Sequence, residues 1–260
     1  MKKFDKNKSL ERCKQYRKKI LEISQNVSAL HIGGAFSSTE ILEIIYNYFL
    51  NAIEKKLFIL SKGHASILQY VILESKKIIK PKALKLYCKK GGTLGVHAEI
   101  TTKGINASTG SLGHGLGIAA GFALAENKSN VFIVISDGEL QEGSTWEAIM
   151  LIPSLKLNNV VLIVDNNNLQ SSTKATDTHP TLYPIDKKFK SFGWDSRTCN
   201  GHSSEEIYDK IKNRDKSKPF ALIAKTIKGF PISFMKNEPK WHYRSPNEYE
   251  YKLALKEIEN

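Results

Sequence analysis

Apolar residues recur at helical spacing over residues 9–25 (Leu10, Cys13, Tyr16, Ile20, Leu21, Ile23), with basic residues between them, which predicts an amphipathic helix. After a loop over 26–37, a second helix is expected to start at Ser37-Ser38-Thr39-Glu40. There Ser37 would cap the first turn and Glu40 would reach back to the cap amide. Its residues Ile41, Leu42, Ile44, Ile45, Tyr48 and Phe49 would face the core. A run of small residues, Leu116–Glu126, reads as another helix. From residue 131 the pattern becomes strand, helix, strand. Residues 131–136 and 160–165 are β-branched and apolar on both faces, with a helical stretch near 143–156 that Pro153 should kink or end. Two more strands are expected around 194–199 and 220–226, with a helix over 204–212 between them, and a last helix from Ser245-Pro246-Asn247-Glu248, read as a capping box with proline at the first helical position. Strands apolar on both faces and joined by helices predict an α/β fold, a parallel sheet with helices on both faces. No linker rich in Pro, Gly or Ser interrupts the chain, so a single domain over residues 1–260 is expected, with the N-terminal helices and the C-terminal helix packed on it.

The ends of two strands carry the chemistry. Ile133–Ile135 runs into Ser136-Asp137-Gly138, and Val160–Val164 into Asp165-Asn166-Asn167-Asn168, with 27 residues between Gly138 and Asn166. Each stretch alone is also a common turn. Together, after two strands of one βαβ unit, they place a carboxylate and an amide oxygen where open parallel sheets bind ligands. Hard oxygens of this kind suit Mg²⁺, with Ca²⁺ or Mn²⁺ as substitutes, and magnesium usually bridges protein oxygens to phosphates. The loop Ala107–Gly115, ASTGSLGHG, precedes the small-residue helix and lets backbone approach an anion, making a third wall.

Composition narrows the class. The 260 residues carry a net charge of +13 and 41% hydrophobic residues, enough for a substantial core. The lysines are spread along the chain without an aromatic-interleaved stripe, so the charge points to phosphorylated small molecules and not to nucleic acid. No apolar run has the length of a membrane span or the form of a signal peptide, and three distant cysteines (Cys13, Cys88, Cys199) fit a reducing cytoplasm.

The spaced SDG and NN pairs resemble the thiamine diphosphate fingerprint. LHIGG (30–34), LSKGHAS (60–66), ASTGSLGHG (107–115), SDGELQEG (136–143), VDNNNLQ (164–170), KTIKGFPISFM (225–235) and WHYRSPNEYE (241–250) together resemble the amino-terminal, diphosphate-binding half of a transketolase. The resemblance implies a thiamine-diphosphate-binding fold and a metal held by Asp137, Asn167 and the carbonyl of Leu169, with Asn168 in a left-handed turn. It implies that His64 and His242 lie beside the diphosphate and thiazolium, and that Gly110, Ser111 and Leu112 lie under the aminopyrimidine. Lys228 is expected near the phosphates, and Gly138 and Glu139 beside the diphosphate. His31 and His97 would contact sugar hydroxyls and assist proton transfer. Glu142 and Glu147 would face the partner active site across an interface.

Family members pair this half with a pyrimidine-binding one that supplies the activating glutamate. The resemblance therefore implies a split enzyme, which would assemble as a heterotetramer and be active only with a pyrimidine-binding partner subunit. The expected reaction is transfer of a two-carbon ketol unit between sugar phosphates. The other readings are a subunit of a 2-oxo-acid synthase or decarboxylase and a non-catalytic thiamine-diphosphate-binding protein. Cofactor positions follow the family pattern, while Ala29–Gly34, Val96-His97-Ala98, His114 and Tyr243 depart from it, so an unusual or nucleotide-linked sugar fits as well as a common one.

Overall fold

The computed structural model describes residues 3–50, 57–171 and 173–259. Along the chain α1 (Lys6–Ser24), α2 (Ile32–Ser37) and α3 (Thr39–Ile44) precede β1 (Leu57–Leu60). Then α4 (Ser66–Ser75), α5 (Pro81–Lys85) and α6 (Gly115–Ala125) lead to β2 (Val131–Ser136), which α7 (Gly143–Ser154) connects to β3 (Val160–Asn166). A short antiparallel pair, β4 (Leu169–Gln170) and β5 (Thr173–Lys174), is followed by α8 (Ala175–Thr178) and α9 (Ile185–Ser191). The chain ends with β6 (Asp195–Asn200), α10 (Ser204–Lys212), β7 (Phe220–Lys225) and α11 (Glu248–Glu259).

Among the described residues the main sheet has five parallel strands in the order β1-β2-β3-β7-β6. Alternate residues feed opposite layers, as the two-residue period of a strand requires. Phe132, Val134, Val161, Ile163, Phe220 and Leu222 join one core with α1 to α4, α10 and α11. Val131, Ile133, Ile135, Val160, Leu162 and Ala221 join the other with α6, α7 and α9. Both faces of the strands are therefore covered, which explains the absence of polar alternation in residues 131–135 and 160–164.

Strand order reverses between β3 and β7. The chain steps inward from the edge through β1, β2 and β3, then crosses to β6 at the far edge and returns to β7. Such a switch point opens a crevice at the carboxyl ends of the flanking strands. The register sets Ser136 beside Asp165 and Asn166 beside Lys225, so the segments that leave these three strands do so side by side.

Two helix starts differ from expectation. The helix expected from Ser37 is α3, which starts at Thr39 after an additional short helix, α2, and the expected capping box is not formed: Ser38, which precedes α3, makes no side-chain cap. Ser37 and Ser38 instead donate to Asp165 (2.7 and 2.9 Å), and Glu40 pairs with Arg17 (2.7 Å). A buried carboxylate and a buried guanidinium outcompete local caps because leaving either unpaired is far costlier. The last helix starts at Glu248, and its reciprocal cap is formed by Asn247 and Glu250, each accepting the other's backbone N–H at 2.9 Å, not by Ser245 and Glu248. Ser245 is occupied by the carbonyl of Val27 (3.0 Å). Pro153 lies in the final turn of α7, consistent with its ending that helix.

Candidate functional site

Six segments converge at the carboxyl edge of the sheet around a cavity of about 460 Å³. His31 enters from the start of α2, His64 from the turn after β1, His97 from the irregular segment before α6, and Lys228 and His242 from the segment after β7. Gly138, Asn167 and Leu169 form the floor, Gly110 and Leu112 another wall.

Four of the seven histidines meet here. The ring of His31 lies 5.3 Å from His64, 6.4 Å from His97 and 5.0 Å from His242, centre to centre. Burial, reinforced by the other cationic and imidazole groups, lowers the pKa of His31 to about 3 and of His242 to about 4, and holds His64 well below its ordinary value. All three are neutral at pH 7. Lys228 Nζ lies 2.8 Å from His242 Nδ1, and burial, followed by the nearby Lys62, brings its pKa down to about 8. An ammonium only donates, so Nδ1 of His242 accepts and its proton sits on Nε2. His31 Nδ1 is buried without a partner, a polar atom that a ligand would satisfy.

Gly34 lines the cavity, and a Cβ there would come into van der Waals contact with the His64 ring at 3.4 Å. Gly113 has φ +93°, and a side chain on it would meet Ser144 Oγ at 2.6 Å; this lets the loop from Gly110 turn tightly into α6.

Asp137 is fully buried just beneath the floor, accepting the N–H groups of Gly138 and Asn168. Burial, and then the neighbouring Asp165, raises its pKa to about 7. A cation would relieve that cost, and Asp137, the Asn167 amide and the Leu169 carbonyl are the hard oxygens at these strand ends that could hold Mg²⁺ together with a phosphate. Asn168 has φ +59°, the left-handed turn expected of it. Among the described residues no cluster of three His, Cys, Asp or Glu side chains offers an alternative metal site.

Besides Asp137 beneath the floor, two expected cofactor residues do not line the cavity. Ser111 is exposed, and Glu139 is fully buried behind the wall, where it accepts from Ser61 and from Gly113 N–H (3.0 Å). Glu139 thus supports the loop and does not face the cavity. Glu142 lines the rim, whereas Glu147 is exposed on α7.

Sequence reading missed Lys62 and Asp165 as partners. Lys62 is completely buried, paired with Asp165 and donating to the carbonyl of Gly34 (3.0 Å) and to Ser38 (2.8 Å). Asp165 also accepts from Thr226. Burial works to raise its pKa, but Lys62 and the surrounding hydroxyls outweigh this and hold it lowered. The available signal was a lysine two residues before His64 and an aspartate near the end of an apolar strand.

Residues 11–254 match the model of the transketolase thiamine diphosphate binding domain. The chain belongs to the transketolase family. It is 34% identical to one of the subunits of the apulose-4-phosphate transketolase of Actinobacillus succinogenes, with 96% of this chain and 95% of that one aligned. Identity is 30% to the 6-deoxy-6-sulfo-D-fructose transketolase subunit SqwG of a Clostridium species, over 94% and 93% of the two chains. The transketolase of Campylobacter jejuni superposes with a TM-score of 0.86 at 25% identity, covering 97% of this chain, and that of Leishmania mexicana with 0.88 at 21% identity. This transketolase-family chain spans about two fifths of those two solved chains, 43% and 41%. Its thiamine diphosphate-binding domain is the α/β unit whose switch point carries the cavity.

Proposed function

We propose that this chain is the diphosphate-binding subunit of a two-subunit, Mg²⁺-dependent transketolase that transfers a two-carbon ketol unit between sugar phosphates. The observation that carries the reading is the cavity itself. Lys228, three neutral histidines and the floor at Gly138 and Asn167 converge on one anion-sized space at the strand ends. Alignment along nearly the full length of two chains named as transketolase subunits supports a role beside a second, pyrimidine-binding subunit.

Thiamine diphosphate supplies an electron sink for carbon–carbon bond cleavage when bound. Lys228 is suited to hold the diphosphate by charge, and Asp137, Asn167 and the carbonyl of Leu169 to hold the metal on it. Gly138 lets backbone approach the phosphates. His242 presents its Nε2–H because Lys228 occupies Nδ1, which makes it a fixed donor. Neutral His31 can donate and accept, and His97 lines the same cavity with its ring 6.4 Å away, an arrangement that matches the hydroxyls of a ketose and a proton passed among them. Glu142 is exposed on the cavity rim, where it is available to a partner that closes the site.

The chain and its partner are expected to form a complex with two copies of each. Ketol transfer by that complex, measured with thiamine diphosphate and Mg²⁺ present and then withheld, is the direct test. Activity independent of the cofactor would refute the proposal.

A further inference from the structure

The segment that carries Lys228 is tied to β3 by Thr226 N–H donating to the carbonyl of Asn166 (3.1 Å), and to its own continuation by Asn237 N–H donating to the carbonyl of Lys228 (2.9 Å). Three further bonds hold it. Thr226 donates to Asp165, Gly229 N–H to the carbonyl of Gly33 (3.1 Å), and Ile227 N–H to Nε2 of His202 (2.8 Å). The third contact has a long reach behind it. His202 Nδ1 stands 3.1 Å from Glu40 Oε2, and Glu40 pairs with Arg17 at 2.7 Å. Arg17 in turn donates to the carbonyl of Phe36 (3.1 Å), and its guanidinium lies 5.4 Å from the ring of Phe230. The His202 ring stacks on that same Phe230, centroids 3.9 Å apart. Side chains of Arg17, Glu40 and His202 are 4%, 6% and 8% exposed, so water competes little for these bonds.

Donor and acceptor roles along this chain are forced. A backbone N–H only donates, so Nε2 of His202 accepts. Glu40 is held ionised, since Arg17 and His202 outweigh the opposing effect of its burial. An ionised carboxylate only accepts, so the remaining ring proton sits on Nδ1 and points to it. The imidazole therefore exists in one tautomer and one orientation, because exchanging its nitrogens would turn an N–H against the N–H of Ile227.

We propose that His202 is a positioning residue: through the relay Arg17–Glu40–His202–Ile227 it sets the segment 226–230 so that Lys228 meets the diphosphate. This rests on the function proposed above, which makes Lys228 a diphosphate contact. His202 does not itself line the cavity. Its effect is on the placement of Lys228, and hence on cofactor affinity, not on the reaction once the cofactor is bound.

The test uses the assembled complex with wild-type chain, H202F and H202Q. Phenylalanine keeps the stack on Phe230 but accepts nothing; glutamine restores an acceptor at the distance of Nε2. Calorimetric titration with thiamine diphosphate and Mg²⁺ should show binding roughly tenfold weaker in H202F and mostly recovered in H202Q, the scale of one buried hydrogen bond. Turnover at saturating cofactor should stay within about twofold of wild type. H202F binding as tightly as wild type, or H202Q no better than H202F, overturns the inference alone. A wild-type complex that binds no thiamine diphosphate overturns the function and the inference together. Independently of any cofactor, ¹⁵N spectra of the His202 ring in the chain should show the neutral Nδ1–H form, and an Nε2–H form would contradict the relay.

Discussion

Asp137 illustrates how one residue concentrates the cost and the purpose of a site. Its carboxylate is fully buried beside Asp165, with its pKa raised to about 7, so only a cation makes its ionised form comfortable. Asp137→Ala should leave the chain folded and abolish Mg²⁺-dependent thiamine diphosphate binding by the complex; unchanged affinity in calorimetry would remove Asp137 from the metal set. The histidines predict a pH effect. His31 and His242 titrate near 3 and 4 in the folded chain, against 6.5 when free. Between those values the unfolded chain binds protons that the folded one refuses, so their contribution to stability is lost as pH falls from about 6.5 to 3. In thermal melts across that window, His242→Gln should show a shallower decline than wild type. His31→Ala and His97→Ala should impair ketol transfer and spare cofactor binding, with the larger loss for hydroxylated donors than for hydroxypyruvate. Equal loss with every donor would reassign both to structure.

At the scale of elements, Lys62 and Asp165 tie β1, the α2–α3 junction, β3 and the segment after β7 to one point. Lys62→Met would leave a buried carboxylate without its cation, a loss of about 3–5 kcal/mol. Urea unfolding should register it as a lowered midpoint. The helix caps provide a gentler case. Asn247 accepts from Glu250 N–H at the start of α11, so Asn247→Ala should cost about 1 kcal/mol in the same assay and leave cofactor affinity alone. Glu248→Ala, at the position the sequence pattern assigns to the cap, should cost less, since its side chain is occupied only by an exposed bond to Lys252.

For the whole molecule, two faces matter. The cavity opens at the carboxyl edge of the sheet, and α6 and α7 expose Leu124, Met150 and Leu151 to 64%, 45% and 48%. The isolated chain is expected to give no ketol transfer, with turnover appearing when a pyrimidine-binding subunit is added; robust turnover by the purified chain alone would overturn the two-subunit reading. No helix among the described residues is long and apolar enough to cross a membrane.

Local chemistry was legible before folding. Apolar runs marked β2, β3 and β7 because strands covered on both faces need β-branched and apolar residues at every position. The helix over 204–212 forms with the bounds expected of it, and its Ser203 cap, which accepts from Glu206 N–H, is a local feature. The pairs at Asp137 and Asn167, with the family motifs around them, located the strand-end site. Tertiary structure decided what depends on distant partners. It assigned Ser37, Ser38 and Glu40 to buried charges instead of a cap, moved the final cap to Asn247, turned Glu139 away from the cavity and joined Lys62 to Asp165. It also brought four histidines together from segments up to 211 positions apart, from His31 to His242. The physical reason is one of range: periodicity and turn chemistry act over a few residues, whereas the cost of an unpaired buried charge is settled only by whatever the fold places beside it.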